Sequence, residues 1–201
     1  MFTGIVKGTA IVKSILKPKA LGLDTRMTVL LGEFSSGLKI GDSVSINGTC
    51  LTVTKLEKGS ATFEIVKETI DRTTLDKVKE GDSVNVERSL MLKDRLEGHL
   101  VLGHIDGVGE IIEVKKSSKG TKLWIKAAQT KMKKHIVPKG SVTIDGISLT
   151  VVDVRKDKFS VALVPHTLQK TTIAFKSKGD RVNIEYDILS KYVDSLLPQK
   201  T

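Results

Sequence analysis

The chain has 201 residues and a formal net charge of +10, from 33 Lys and Arg against 23 Asp and Glu, with 39% apolar and only 4% aromatic residues. The charge invites a nucleic-acid or anionic-lipid partner, but the lysines are interspersed with acids and lack neighbouring aromatics on which bases could stack, so a basic solvated surface is the better reading. One cysteine excludes an internal disulfide, no paired His or Cys spacing suggests a metal site, and no stretch has the form of a membrane span or signal peptide; a cytoplasmic chain without metal or cofactor is expected.

In chain order, residues 2–16 alternate loosely and predict a first strand, with Gly4 and Gly8 allowing a bend or a close backbone approach. Residues 26–31 predict a second strand, and 37–41 a turn. Gly41-Asp-Ser-Val-Ser-Ile-Asn-Gly-Thr-Cys-Leu-Thr-Val53 then reads as a hairpin turning at Asn47-Gly48, a dipeptide that readily supplies positive φ at both centres of a tight turn. Residues 55–59 form a polar tip and 61–66 a returning strand. A short helical turn capped by its threonines is expected over 67–75, and 84–88 is a closing strand. The order then recurs. Lys139-Gly-Ser-Val-Thr-Ile-Asp-Gly-Ile-Ser-Leu-Thr-Val151 restates the hairpin 98 positions later, with Ser148 where Cys50 stood and Lys139 where Gly41 stood. Residues 103–107, 123–126, 158–164, 165–173 and 179–185 repeat the other landmarks. Lysine clusters at 115–116 and 131–134 read as solvated turns. The tail breaks the repeat: Ile188, Tyr192 and Leu196 fall at i, i+4 spacing, with Leu189, Val193 and Leu197 beside them, which is an amphipathic helix stopped by Pro198.

Short, closely spaced strands said twice predict an all-β fold of two tandem homologous six-stranded antiparallel Greek-key β-barrels plus a C-terminal helix. The expected units are 1–96, 97–187 and, for the helix, 188–201. A duplicated barrel offers two similar pockets. In each unit the glycine-flanked first strand, the Cys/Ser-Leu-Thr segment and the Glu68-Thr69 or His166-Thr167 segment are expected to converge, which suits a flat heteroaromatic ring edged with donors and acceptors. Taken singly, these threonines and glycines read as parts of strands and turns; as a repeated set they point to a site. Cys50 reads as a pocket residue, and His104, in Gly-His-Ile, as a candidate for acid–base or hydrogen-bonding work. His99, beside a turn, reads as structural, and His135 and His166 as surface residues.

Met1-Phe-Thr-Gly-Ile-Val6, Asn47-Gly-Thr-Cys-Leu-Thr-Val53, Asn85-Val-Glu-Arg88, Gly98-His-Leu-Val-Leu-Gly-His104, Ile144-Asp-Gly-Ile-Ser-Leu-Thr150 and Lys170-Thr-Thr172 together resemble the α-type riboflavin synthase family over nearly the whole chain. The resemblance implies a homotrimer held by the C-terminal helices, with each site between the first barrel of one subunit and the second barrel of its neighbour. The implied reaction is a dismutation of two 6,7-dimethyl-8-ribityllumazine molecules, in which a four-carbon unit passes from one to the other without metal or redox cofactor. Association with a lumazine synthase is left open. Carried over residue by residue, the family's catalytic positions fall on Ser43, Cys50 and His104. Its substrate lining falls on Phe2, Gly4, Ile5, Val6, Cys50, Leu51, Thr52, Glu64, Ile65, Val66, Lys67, Glu68 and Thr69. It continues over Gly103, His104, Ile105, Lys139, Asp145, Ser148, Leu149, Thr150, Ala162, Leu163, Val164, Pro165, His166 and Thr167. Two departures stand out: Glu97-Gly-His99 where many relatives have Gly-Gly-His, and Pro165-His-Thr167 where many have Pro-Glu-Thr. The rivals are a non-catalytic lumazine- or flavin-binding protein of the same fold and, more distantly, a nucleic-acid-binding barrel.

Overall fold

The structure, a computed structural model, describes residues 1–17, 24–117, 120–127 and 132–198. The first six strands are β1 (Gly8–Leu16), β2 (Thr25–Leu30), β3 (Ser43–Ile46), β4 (Thr49–Glu57), β5 (Ser60–Ile65) and, after helix α1 (Lys67–Arg72), β6 (Ser83–Arg88). They close into an antiparallel barrel in the order β1-β2-β5-β4-β3-β6, with β6 pairing back onto β1. The second set is β7 (Gly107–Ser117), β8 (Gly120–Ala127), β9 (Ser141–Ile144), β10 (Ile147–Val154), β11 (Lys158–Leu163) and β12 (Arg181–Tyr186). It closes in the equivalent order, with short helices α2 (Met132–His135) and α3 (Pro165–Lys170) between strands and α4 (Ile188–Leu196) after them. Closure leaves neither barrel an unpaired edge.

Period-two alternation puts Val44, Ile46, Leu51, Val53, Phe63 and Ile65 into the first core, and Val142, Ile144, Leu149, Val151, Phe159 and Val161 into the second. Such small cores need strongly bent strands. The bends are register shifts between Val12 and Ser14, Val53 and Lys55, Ile111 and Glu113, and Val151 and Asp153, at equivalent places in the two units.

The two hairpin turns meet. Asn47 and Gly48 have φ of 45° and 82°, and Asp145 and Gly146 repeat these values. A Cβ on Gly48 would lie 2.6 Å from the Gly146 nitrogen, so only glycine lets the turns touch. Around this contact two buried asparagines cross between barrels. Asn85 donates to the Asp145 carbonyl at 2.8 Å and accepts from the Thr172 N–H at 2.8 Å. Asn183 donates to the Asn47 carbonyl at 2.8 Å and accepts from the Thr74 N–H at 2.7 Å.

Several local expectations shift. The first strand begins at Gly8, not at residue 2, because Phe2 pairs with Val101 and the Gly4 carbonyl with the Ser148 N–H, leaving the segment tied to the first barrel through Glu87 and the Val86 carbonyl. Lys115 and Lys116 are the exposed end of β7, opposite Lys122 and Thr121, not a turn. Of the cluster at 131–134, residue 131 lies outside the described residues and the others fall in α2. The threonine cap is on the turn after α1, where the Thr73 side chain accepts from the Leu75 N–H; α1 itself starts without a side-chain cap. His135 is buried, stacked on Tyr186, and carries the helix–barrel junction instead of facing solvent. Among the described residues no helix is long and apolar enough to cross a membrane.

Asn85→Ala would strand the Asp145 carbonyl and the Thr172 N–H together. At roughly 1–3 kcal/mol for each buried group left unpaired, equilibrium unfolding in urea should show a loss on the order of 3 kcal/mol. A loss below about 1 kcal/mol would show that the barrels are held by other contacts.

Candidate functional site

The opening segment of each unit docks on the other barrel. Phe2 bridges to Val101, its N–H donating to the Val101 carbonyl at 2.7 Å and the Val101 N–H donating back at 3.1 Å. The chain then passes the second barrel: the Ser148 N–H donates to the Gly4 carbonyl at 2.7 Å, and Val6 packs on the second core. Reciprocally, the Cys50 N–H donates to the Gly103 carbonyl at 2.9 Å. The expected convergence within one unit is thus corrected. Gly4 faces Ser148 and Gly103 faces Cys50, because the turn contact brings each hairpin beside the other unit's opening segment. Both glycines have φ near +75°, and a Cβ on either would strike the facing residue, at 2.7 Å from the Ser148 Cβ or 2.6 Å from the Cys50 Cβ.

Two buried carboxylates hold these segments. Glu87 accepts from the Thr3 N–H at 2.8 Å, the Thr3 hydroxyl at 2.7 Å and the Gly4 N–H at 3.0 Å. Glu185 accepts from the Leu102 N–H at 2.9 Å and the Gly103 N–H at 3.0 Å. Burial pushes the Glu185 carboxyl up to about 7, against the lowering pull of those N–H groups and of the Lys191 ammonium. Burial raises Glu87 as well. Neither glutamate was singled out from the sequence, although the repeated Asn85-Val-Glu87 and Asn183-Ile-Glu185 was the signal that could have found them.

Around Cys50 lies an open cleft of about 330 Å³ lined by Thr49, Cys50, Glu68, Thr69, Arg72, Thr73, Gly103, His104 and Ile105. The fold therefore brings Cys50, Glu68 and Thr69 together with Gly103, His104 and Ile105. Thr49, Arg72 and Thr73 join them without having been expected. The Thr73 hydroxyl ties off the Thr69 carbonyl at 2.7 Å, and Arg72 pairs with Glu68 at 3.1 Å. The second barrel repeats the frame: the Thr171 hydroxyl binds the Thr167 carbonyl at 2.7 Å, and Ser148 stands beside Gly4.

The other expected residues are less closely gathered. Leu51, Ile65, Leu149 and Leu163 are core residues of the barrels, and Phe2 is wholly buried. Glu64 is exposed and paired with Arg26, lining a separate depression on the barrel wall with Lys13 and Glu57. Val66, Lys67, Ala162, Val164, Pro165 and His166 are exposed, as are Thr52 and Thr150; Ser43, half-buried, pairs with Thr52 across the hairpin. Asp145 is buried in the turn contact, where its Oδ1 accepts from the Asn183 N–H at 2.7 Å; burial raises its carboxyl despite Lys176 at 3.7 Å. Lys139 is exposed with φ of 66°, where Gly41 has 91°, and each N–H donates to the facing strand.

His99 is buried at this junction. Its Nδ1 lies 2.7 Å from the Ser148 hydroxyl and its Nε2 3.2 Å from that of Thr143. Burial lowers its pKa below the usual 6.5, with Asp187 pulling the other way.

Known proteins resemble this chain in sequence and in fold. The lumazine binding domain family covers the chain twice, over residues 3–89 and 102–187. The riboflavin synthase of Escherichia coli (strain K12) is 43% identical over 188 residues, 93% of this chain and 87% of the relative. That of Actinobacillus pleuropneumoniae is 38% identical over 200 residues, 100% of this chain and 91% of the relative. Among solved structures, LumP complexed with 6,7-dimethyl-8-(1'-D-ribityl) lumazine superposes with a TM-score of 0.81 at 24% identity, covering 92% of this chain and 99% of that one. LumP complexed with riboflavin gives 0.81 at 25% identity over the same shares.

The Glu185 carboxyl has a testable pH signature. Its folded pKa lies above the ordinary 4.5, so the stability it contributes is fully present below about pH 4.5 and is lost as pH rises through about 7. Glu185→Gln removes that titration. The difference in unfolding free energy between variant and wild type should drift in the variant's favour between pH 4.5 and 7 and level off above. A difference that stays flat with pH would show that the Leu102, Gly103 and His104 N–H groups keep the carboxylate ionised throughout.

Proposed function

The chain belongs to the riboflavin synthase family, and we propose that it carries out the dismutation of two 6,7-dimethyl-8-ribityllumazine molecules to riboflavin and 5-amino-6-ribitylamino-uracil. The observation that carries this reading is the pair of composite half-sites on one backbone frame that differ in side chains, among them Cys50 in one where Ser148 stands in the other. The reaction needs two copies of one substrate held in different roles, and such a pair supplies that. The atoms of two lumazines equal those of the two products, so no oxidant, reductant or cofactor is consumed. What remains for the protein is positioning and proton transfer. Holding both rings in a reactive pose is a large term, equivalent in intramolecular models to roughly 7–11 kcal/mol of barrier. Cys50 and His104 face the first ring from the open cleft, and Ser148 and Thr150 attend the second. Ser43, Thr52 and Lys139 stand at the mouths of the half-sites, and the backbone of 4–6, 64–69, 103–105 and 162–167 frames the ring edges.

The two half-sites of one chain belong, on this reading, to different active centres. Each centre pairs the first barrel of one subunit with the second barrel of another, in a cytoplasmic homotrimer. What supports the trimer is α4. It is anchored to its own barrel through Lys134 to Asp194 at 3.1 Å, yet Leu189, Tyr192, Val193, Leu196 and Leu197 remain 58–84% exposed. That apolar stripe has no counterpart after the first barrel, and copies of the same helix match it in length and character.

Two measurements test the proposal. Incubation of the purified chain with the lumazine should yield one riboflavin for every two lumazines consumed, read by absorbance. Tight binding with no riboflavin would place the chain with non-catalytic lumazine binders. Truncation before Ile188 should leave folded barrels that sediment as monomers, with activity reduced by at least about 10²-fold because no half-site finds its partner. An active trimer after truncation would sink the assembly reading.

A further inference from the structure

The half-sites differ in a second way, which lies behind the substrate-facing side chains. The Ser148 hydroxyl is hydrogen-bonded to an imidazole at 2.7 Å, while among the described residues no hydrogen bond to the Cys50 sulfur is found. The imidazole is set firmly. The main-chain N–H of its residue, His99, donates to the Thr3 carbonyl at 3.2 Å, and the ring's far nitrogen meets the hydroxyl of Thr143, a fully buried residue, at 3.2 Å. The preceding residue must be glycine: a Cβ on Gly98 would fall 2.0 Å from the Thr3 carbonyl oxygen and 3.2 Å from the Ser148 Oγ. Opening segment, Gly98-His99 and Ser148 therefore form one packed unit.

Resting on the dismutation reading, we propose that His99 is a positioning residue of the second half-site, directing the Ser148 hydroxyl and exchanging a proton with it. A neutral imidazole has one N–H and one lone pair, so the Ser148–His99–Thr143 chain has two self-consistent arrangements. In one, Ser148 donates to Nδ1 and Nε2–H donates to Thr143, which leaves the Ser148 oxygen free to accept from the bound ring. In the other, Nδ1–H donates to Ser148 and Thr143 donates to Nε2, which frees the serine hydrogen for the ring. When Ser148 Oγ takes a proton from an acidified methyl group, its own proton passes to Nδ1 and an imidazolium results. Return of that proton along the same path protonates the ring later, so nothing is consumed. Burial lowers the imidazole's pKa and so favours its neutral form, while Asp187 favours the cation. Ser148 touches substrate; His99 acts only through it.

The test uses the full chain and a double-mutant cycle of His99→Asn and Ser148→Ala. Asparagine keeps a hydrogen-bonding amide near the Nδ1 position but exchanges no proton. Lumazine affinity, by fluorescence titration, should change less than about threefold, while the single-turnover rate at saturation falls about 10²-fold. The double variant should be no slower than Ser148→Ala alone, the non-additivity expected of residues acting as a unit. Losses that multiply, or a His99→Asn enzyme as fast as wild type, would overturn the proposal. Imidazole ¹⁵N resonances give a readout without altering His99: Ser148→Ala and added lumazine should each shift the Nδ1 signal, and a signal indifferent to both would also overturn it. This readout stands even if His99→Asn fails to fold. It also separates the two claims, since a wild type that makes no riboflavin removes the dismutation reading while the Nδ1 response still decides whether His99 attends the bound ring.

Discussion

Everything in this molecule that resembles a site depends on the contact between two tight turns. Gly48 and Gly146 touch backbone to backbone, and Asn85 and Asn183 each reach across to satisfy a carbonyl and an N–H of the other barrel. These groups are buried, so each bond lost would leave a polar atom stranded at a cost comparable to a sizeable fraction of a domain's net stability. The barrels are therefore held in one mutual orientation by directional bonds. Apolar contact alone, being non-directional, would let them slide.

That orientation makes the half-sites composite. A closed barrel has no free edge to which a further strand can add, so an extra segment can dock only at a barrel end, against the exposed N–H and C=O groups of a hairpin. Residues 1–6 and 99–105 do this, each at the end of the barrel to which it does not lead. Glu87 and Glu185 hold them by accepting adjacent backbone N–H groups, and burial of the carboxylates is the cost. The outcome is a wall made of backbone whose shape is set by main-chain hydrogen bonds, with the side chains of Cys50 and His104 lining the open cleft beside it.

Much of the fold was legible because its signals are local. Asn47-Gly48 and Asp145-Gly146 specify their turns within two residues, alternation marks the strands, and the 98-residue repeat shows the duplication directly. The helix α4 was visible in its i, i+4 stripe. Where Gly4 and Gly103 point was not legible. A glycine announces that something approaches closely, but the approaching partner is set by packing between residues about fifty or more than a hundred positions apart. The partners of His99 were hidden for a related reason. Its neighbours in sequence suggest a turn, and its chemical partners, Ser148 and Thr143, are brought to it only by the crossed segments. Family resemblance supplied more of the candidate lining than the residues themselves did, and it could not distinguish a pocket-facing side chain from a core one such as Leu51.

Duplication solves a particular difficulty in handling two identical ligands. If both half-sites were chemically the same, nothing would decide which ring gives and which receives, and half of all encounters would be posed without the acid–base groups they need. Here the backbone is nearly symmetric: matching φ values at the turns, matching carboxylate cradles, and matching threonine ties at Thr73 and Thr171. Two rings can then be bound in the same manner. The asymmetry lies in side chains that the shared backbone does not need, among them a thiol at Cys50 against a hydroxyl at Ser148, a glycine at Gly41 against a lysine at Lys139, and an imidazole behind one hydroxyl only. Because the hydrogen bonds that fix the frame come almost wholly from main chain, asparagine and glutamate, these positions can diverge without unfolding the barrels.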